Sequence, residues 1–165
     1  MNCYVLTGGR SQRMGTSKRD LFLDRVVAAA KAVFDEVIEI EERGESEIAP
    51  IFGVRAALRR AGARCFVLAV DYPLITSDVL RDIAKRGGVP MWNGHPQPLC
   101  ATWDPAVLPL IEQRIADGRL DLRGLIAEAK VEIIDESVLR AAHRGEPLMN
   151  VNTPEELAEA ERIDG

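Results

Sequence analysis

Two features of this sequence place side chains where they can act on phosphate. The first is the run Leu6, Thr7, Gly8, Gly9, Arg10, Ser11, Gln12, Arg13, Met14, Gly15, Thr16, Ser17, Lys18, which follows a β-prone stretch at 2–7. Gly8 and Gly9 have no side chain, so their backbone N–H groups can approach an anion closely and adopt positive φ. Arg13 and Lys18 stand at the far side of the run. Arginine offers a bidentate fork to phosphate oxygens, and lysine a compact point charge. With Arg10 and Arg19 they form a local basic excess in a chain of net charge −5. The spacing is not that of a Walker A loop, because Gly15 is not followed by lysine, nor is it Gly-x-Gly-x-x-Gly. A polar βα loop with surface cations is the plainer alternative.

The second feature is Asp71, which follows the apolar run Val67, Leu68, Ala69, Val70 and precedes Tyr72 and Pro73. Packing does not explain an acid at the end of a buried strand, and Pro73 stops the strand there. A hard carboxylate oxygen suits Mg²⁺, which takes one or two carboxylates together with phosphate oxygens and water. A turn or helix-capping aspartate is the alternative. Farther along lies the run Asn150, Val151, Asn152, Thr153, Pro154, Glu155, Glu156, Leu157. Alternation turns Asn150 and Asn152 to one side, where two amides can bind phosphate, hold metal-bound water, or simply pin loop backbone.

These residues need a scaffold that brings them to one place. Helix spacing appears at 20–34, 51–61, 77–86, 104–116 and 120–130, and strand patterns at 36–40, 65–70 and 131–135. Two strands, 89–92 and 99–103, are expected around a turn at Asn93 and Gly94. Thr153, Pro154 and Glu156 predict a capped final helix. Strands alternating with helices imply a three-layer α/β/α domain with a mostly parallel sheet, with the first and third strands near its middle. Ligands in such sheets bind beyond the carboxyl ends of the strands. Residues 1–165 read as one domain, and 41–47 as a charged surface loop.

Composition narrows the class. The chain is 47% hydrophobic, as a globular protein should be. No apolar run reaches the roughly 18 residues that span a bilayer. The uncharged stretch 1–6 leads straight into the glycine-rich run and does not read as a signal peptide, so a cytoplasmic location and no membrane partner are expected. The acidic balance argues against nucleic acid as a partner. Cys3, Cys65 and Cys100 lack metal-ligand spacing and read as core thiols, and His95 and His143 as loop or surface residues.

The glycine-rich run resembles the signature loop of the molybdenum cofactor guanylyltransferases, Leu-Ala-Gly-Gly-x-Ser/Ala-x-Arg-Met-Gly-x-Asp-Lys. It matches at Leu6, Gly8, Gly9, Ser11, Arg13, Met14, Gly15 and Lys18, and departs at Thr7 and Ser17. The family's Asp-x-Pro matches Asp71 and Pro73, and its Asn-Val-Asn-Thr-Pro-Glu-Glu-Leu matches the run from Asn150 to Leu157. Gly94 to Trp103 is similar to the family's His-Pro-Leu-Cys-Ala segment, offset at Gln97 and Pro98. Pro50 and Gly53 resemble what is left of a longer Gly-Pro-Leu-Ala-Gly loop, and Glu39, Ile40 and Glu41 stand where relatives offer an asparagine.

The resemblance implies a nucleotide-diphospho-sugar transferase fold and transfer of GMP from GTP to molybdopterin cofactor, with release of pyrophosphate. It implies Arg13, Lys18 and Asp71 as catalytic residues, with Asp71 holding Mg²⁺. Leu6, Thr7, Gly8, Gly9, Arg10, Ser11, Gly15, Lys18, Gly53, Asn150 and Asn152 are the implied binding residues. Trp92 or Trp103 stacked on a pterin ring is a further reading, ranked below simple packing. Transient contact with other cofactor-biosynthesis proteins is implied too. Transfer from CTP, or to a cobinamide phosphate or sugar phosphate, is the nearest alternative. A nucleotide-binding homologue without turnover is another.

Overall fold

The computed structural model describes residues 1–7, 16–41 and 49–164, apart from the side chains of residues 16–19, 21, 154 and 164. The elements run β1 (Cys3–Leu6), α1 (Thr16–Lys31), β2 (Val37–Ile40), α2 (Pro50–Ala61), β3 (Cys65–Ala69), α3 (Ser77–Arg86) and β4 (Val89–Trp92). There follow β5 (His95–Pro96), β6 (Cys100–Trp103), α4 (Leu108–Ala116), α5 (Leu122–Ala129), β7 (Ile133–Ile134), α6 (Glu136–Ala142) and α7 (Pro154–Asp164). The main sheet has the order β2-β1-β3-β6, with β1 parallel to both β2 and β3. The first and third strands are central, as right-handed crossovers require.

Period-2 alternation sorts the strand side chains onto two faces. Cys3, Val5, Phe66, Leu68 and Cys100 pack against Val26 and Ala30 of α1 and Leu80 and Ile83 of α3. Tyr4, Leu6, Cys65, Val67 and Trp103 pack against Val54 and Leu58 of α2, Ile111 of α4 and Leu125 of α5. The result is the expected three-layer α/β/α domain with a mostly parallel sheet. All three cysteines are buried core thiols. Burial pushes the Cys65 thiol up to about 12, which leaves it without reactive thiolate near neutral pH.

The expected two-strand unit is rearranged. Asn93 and Gly94 do form a tight turn, with φ of 50° and 73°, the positive values that an Asn-Gly hairpin turn demands. The strand paired across it is β5, with Trp92 opposite His95 and Met91 opposite Pro96. β6 instead crosses to the main sheet and lies antiparallel to β3. Gln97 N–H still donates to the Pro90 carbonyl at 2.8 Å, but Pro98 has no N–H to carry the ladder farther. The chain is then free to change partners, and Leu99 accepts from Ala69 N–H at 2.7 Å.

α7 is held by a small separate core of Phe22, Leu74, Val151, Leu157 and Ala160. Its start is the predicted capping box. Glu156 N–H donates to Thr153 Oγ1 at 3.1 Å, and Thr153 N–H donates to Glu156 Oε2 at 3.1 Å. Thr153→Ala is therefore expected to cost about 1 kcal/mol, seen as a fall of about 3 °C in Tm by thermal unfolding.

Candidate active site

Neighbouring parallel strands end level with one another. Leu6 pairs with Ile40 on one side and with Ala69 on the other. Thr7 closes the end of β1 onto β2, since its N–H and its hydroxyl both donate to the Ile40 carbonyl, at 3.0 and 3.2 Å. Asp71 lies two residues past the end of β3 on this same edge and is half-buried. Thr7, at this edge, is the last described residue of the glycine-rich run before α1. Gly8, Gly9, Arg10, Ser11, Arg13 and Gly15 lie outside the described residues. Lys18 is the third residue of α1, and its side chain lies outside the description as well. One turn farther on, Phe22 packs with Leu74 and Val151, so the start of α1 sits beside the chain that follows β3.

The Asn150–Asn152 run is brought to Asp71 by its own backbone. Val151 N–H donates to the Asp71 carbonyl at 2.8 Å. Val151 is 1% exposed, and the asparagines on either side of it are exposed. The two amides do face one side, because Asn152 Nδ2 donates to Asn150 Oδ1. Val151→Ala opens a cavity in the small core and should cost about 2 kcal/mol, or about 6 °C in Tm. Thermal unfolding of the variant beside wild type checks this.

Gly53 has a packing reason that spacing did not reveal. A Cβ there would meet Leu6 Cδ1 at 2.6 Å, so its absence lets the first turns of α2 close over the end of β1. The tryptophans follow the packing reading. Trp92 is 1% exposed, donates its indole N–H to Glu146 at 2.8 Å, and lies under the Arg140 guanidinium, 4.0 Å from the ring centroid. Trp103 is equally buried and donates to the Pro98 carbonyl at 2.9 Å. His95 is exposed, with Nδ1 against Arg123, and His143 pairs with Asp82 at 3.1 Å.

Tyr72 is the site residue the sequence reading missed. It is 2% exposed and donates its hydroxyl proton to Gln97 Oε1 at 3.1 Å. Burial raises its pKa, with Cys100 and Asp71 adding to the effect, so the hydroxyl keeps its proton at any working pH. One residue thus joins the Asp71 turn to the Gln97 segment. The available signal was a tyrosine next to a candidate ligand in an otherwise apolar stretch, since a buried tyrosine hydroxyl needs partners.

The edge carries a carboxylate close to the point where the glycine-rich run begins. Among the described residues no cluster of three His, Cys, Asp or Glu side chains encloses a metal. An ion held at Asp71 would draw its other ligands from phosphate and water, which is how Mg²⁺ commonly binds.

The family model described as MobA-like NTP transferase domain matches residues 3–133. A protein of Pelotomaculum thermopropionicum named probable molybdenum cofactor guanylyltransferase is 32% identical, over 94% of this chain and 89% of its own length. The molybdenum cofactor guanylyltransferase of Desulfosudis oleivorans is 27% identical, over 95% of this chain and 92% of its own. The crystal structure of molybdopterin-guanine dinucleotide biosynthesis protein A from Archaeoglobus fulgidus superposes with a TM-score of 0.77 at 22% identity, covering 99% of this chain and 98% of that one, and so shares the fold. With that family model matched over most of its length, this chain belongs to the MobA-like NTP transferase family.

Proposed function

We propose that this protein transfers GMP from GTP to the phosphate of molybdopterin cofactor and releases pyrophosphate. The reading is supported by the names of its full-length relatives. The observation that carries it is the union of Asp71 with the Asn150–Asn152 run at the edge where the glycine-rich run begins. An oxygen of the acceptor phosphate attacks the α-phosphorus of GTP. A P–O bond forms there while the bond to the β-phosphate oxygen breaks, and the electron pair leaves with pyrophosphate. The protein aligns the two phosphates and offsets their charge.

In this reading Leu6, Thr7, Gly8, Gly9, Arg10, Ser11 and Gly15 surround the nucleotide over β1 and β2, with Gly53 behind them. Arg13 and Lys18 bind the triphosphate and take up the charge that grows on the leaving pyrophosphate. Asn150 and Asn152 receive the acceptor phosphate on the other flank of Asp71. Asp71 would hold Mg²⁺, and its half-buried position on a backbone tied at the Val151 N–H fits that task. The ion, when bound, neutralises phosphate charge. The cytoplasm is the proposed location, and other cofactor-biosynthesis proteins the proposed transient contacts; no described helix is long and apolar enough to cross a membrane.

The test is pyrophosphate release with molybdopterin and each of the four nucleoside triphosphates. The expected result is release from GTP, lost on chelation of divalent metal, with CTP slower by about a hundredfold or more. GTP binding by calorimetry with no pyrophosphate formed from any acceptor would overturn it.

A further inference from the structure

Arg140 of α6 sits between two carboxylates that both reach the tip of the β4–β5 hairpin. Its Nε donates to Glu136 Oε1 at 2.7 Å, and its Nη1 to Glu146 Oε1 at 3.2 Å. The other oxygen of Glu136 accepts from Gly94 N–H at 3.0 Å, and the other oxygen of Glu146 from the Trp92 indole N–H at 2.8 Å. Arg140 Nη2 donates to Asn93 Oδ1 at 2.7 Å, and the guanidinium covers the Trp92 ring, 4.0 Å from its centroid. These side chains together grip the consecutive residues Trp92, Asn93 and Gly94. The ladder they hold pairs only Met91 with Pro96 and Trp92 with His95, too short to fix the hairpin by itself.

From this junction two lines of contact lead to the Asp71 turn. In one, Gln97 Nε2 donates to the carbonyls of Trp92 at 3.3 Å and His95 at 3.1 Å, and Gln97 Oε1 accepts at 3.1 Å from the hydroxyl of Tyr72, the neighbour of Asp71. In the other, the Glu146 carbonyl accepts from Met149 N–H at 3.0 Å, Leu148 is buried in the core, and Val151 N–H donates to the Asp71 carbonyl at 2.8 Å. The hairpin and the Asn150–Asn152 run are thereby joined into one unit, and Arg140 is bonded to both of its halves. Leu6 and Thr7, on the nucleotide side, end β1, which lies across β3 from β6. We propose that Arg140 is a positioning residue for acceptor binding, holding the hairpin and, through Glu146, the Asn150–Asn152 run in one arrangement beside Asp71. The inference rests on the acceptor assignment given under Proposed function. A run freed from this hold must be ordered again each time the acceptor phosphate binds, which weakens binding and leaves the bound arrangement the same.

Steady-state pyrophosphate release with GTP and molybdopterin tests it in wild type, Arg140→Met and Glu136→Ala. Arg140→Met removes the guanidinium and keeps an apolar stem to pack near Trp92. It should raise the acceptor KM about fivefold and leave the GTP KM, and kcat at saturating acceptor, within about twofold. Glu136→Ala, which frees Arg140 Nε and Gly94 N–H together, should move the acceptor KM in the same direction. Active wild type with an unchanged acceptor KM in folded Arg140→Met, or with both KM values raised alike, overturns the role of Arg140 alone. Wild type that releases no pyrophosphate with any acceptor overturns the activity reading and this inference with it. Should Arg140→Met not fold, an unchanged acceptor KM in Glu136→Ala, at a half-buried position, overturns the proposal by itself.

Discussion

Asp71→Asn is expected to fold normally and to lose about 10²–10³-fold in kcat/KM for pyrophosphate release. The substitution keeps the shape of the side chain and removes its charge. One structural tie at this position is made by the main chain, where the Asp71 carbonyl accepts Val151 N–H at 2.8 Å, and an asparagine retains it. Activity should therefore fall without a matching fall in Tm. What remains should need a higher magnesium concentration, since a neutral amide oxygen is a weaker ligand for a hard cation. Rates near those of wild type would show that the carboxylate is a turn residue and that any metal is held elsewhere.

Lys18→Ala should bring a loss of similar size, about 10²–10³-fold, and it should appear more in kcat than in KM. Negative charge grows on the departing pyrophosphate, so a cation facing it stabilises the transition state more than bound GTP. Lys18 is in the first turn of α1, and Phe22, one turn later, packs with Leu74 and Val151. This places the helix start beside the Asp71 turn. Lys18→Arg should restore only part of the rate, because a planar fork does not replace a compact ammonium group. Full turnover in Lys18→Ala, measured by pyrophosphate release at saturating GTP, would remove Lys18 from the machinery.

The parts of the fold legible from sequence were those dictated by local pattern. The continuous apolar run of β3, the amphipathic spacing of α2 and α3, and the Thr153–Glu156 capping box each carry their cause within about a dozen residues. α6 was missed because it has seven residues and only Leu139 of them is buried, which leaves no periodicity to detect. The pairing of β6 with β3 was missed because it joins residues more than 30 positions apart. A local hairpin at Asn93 and Gly94 was the nearer solution, and it proved to belong to β5.

The candidate site divides in the same way. Asp71 was visible because an acid at the end of a buried strand breaks the apolar pattern. Asn150 and Asn152 were visible because capping explains Thr153 and Glu156 and leaves the paired amides unexplained. Tyr72 was invisible because its partner Gln97 approaches it only in the folded chain. Gly53 read as a binding residue by resemblance. The structure gives it a steric reason against Leu6, which accounts for glycine there without a ligand.

GTP labelled at the α-phosphorus, incubated with the protein, magnesium and molybdopterin, tests the central claim most directly. The account predicts that the label appears in a product joined to molybdopterin, in step with pyrophosphate release, and that a γ-label leaves entirely in pyrophosphate. Label from the γ-position in the acceptor product, or no α-labelled product from folded wild-type protein, would contradict it.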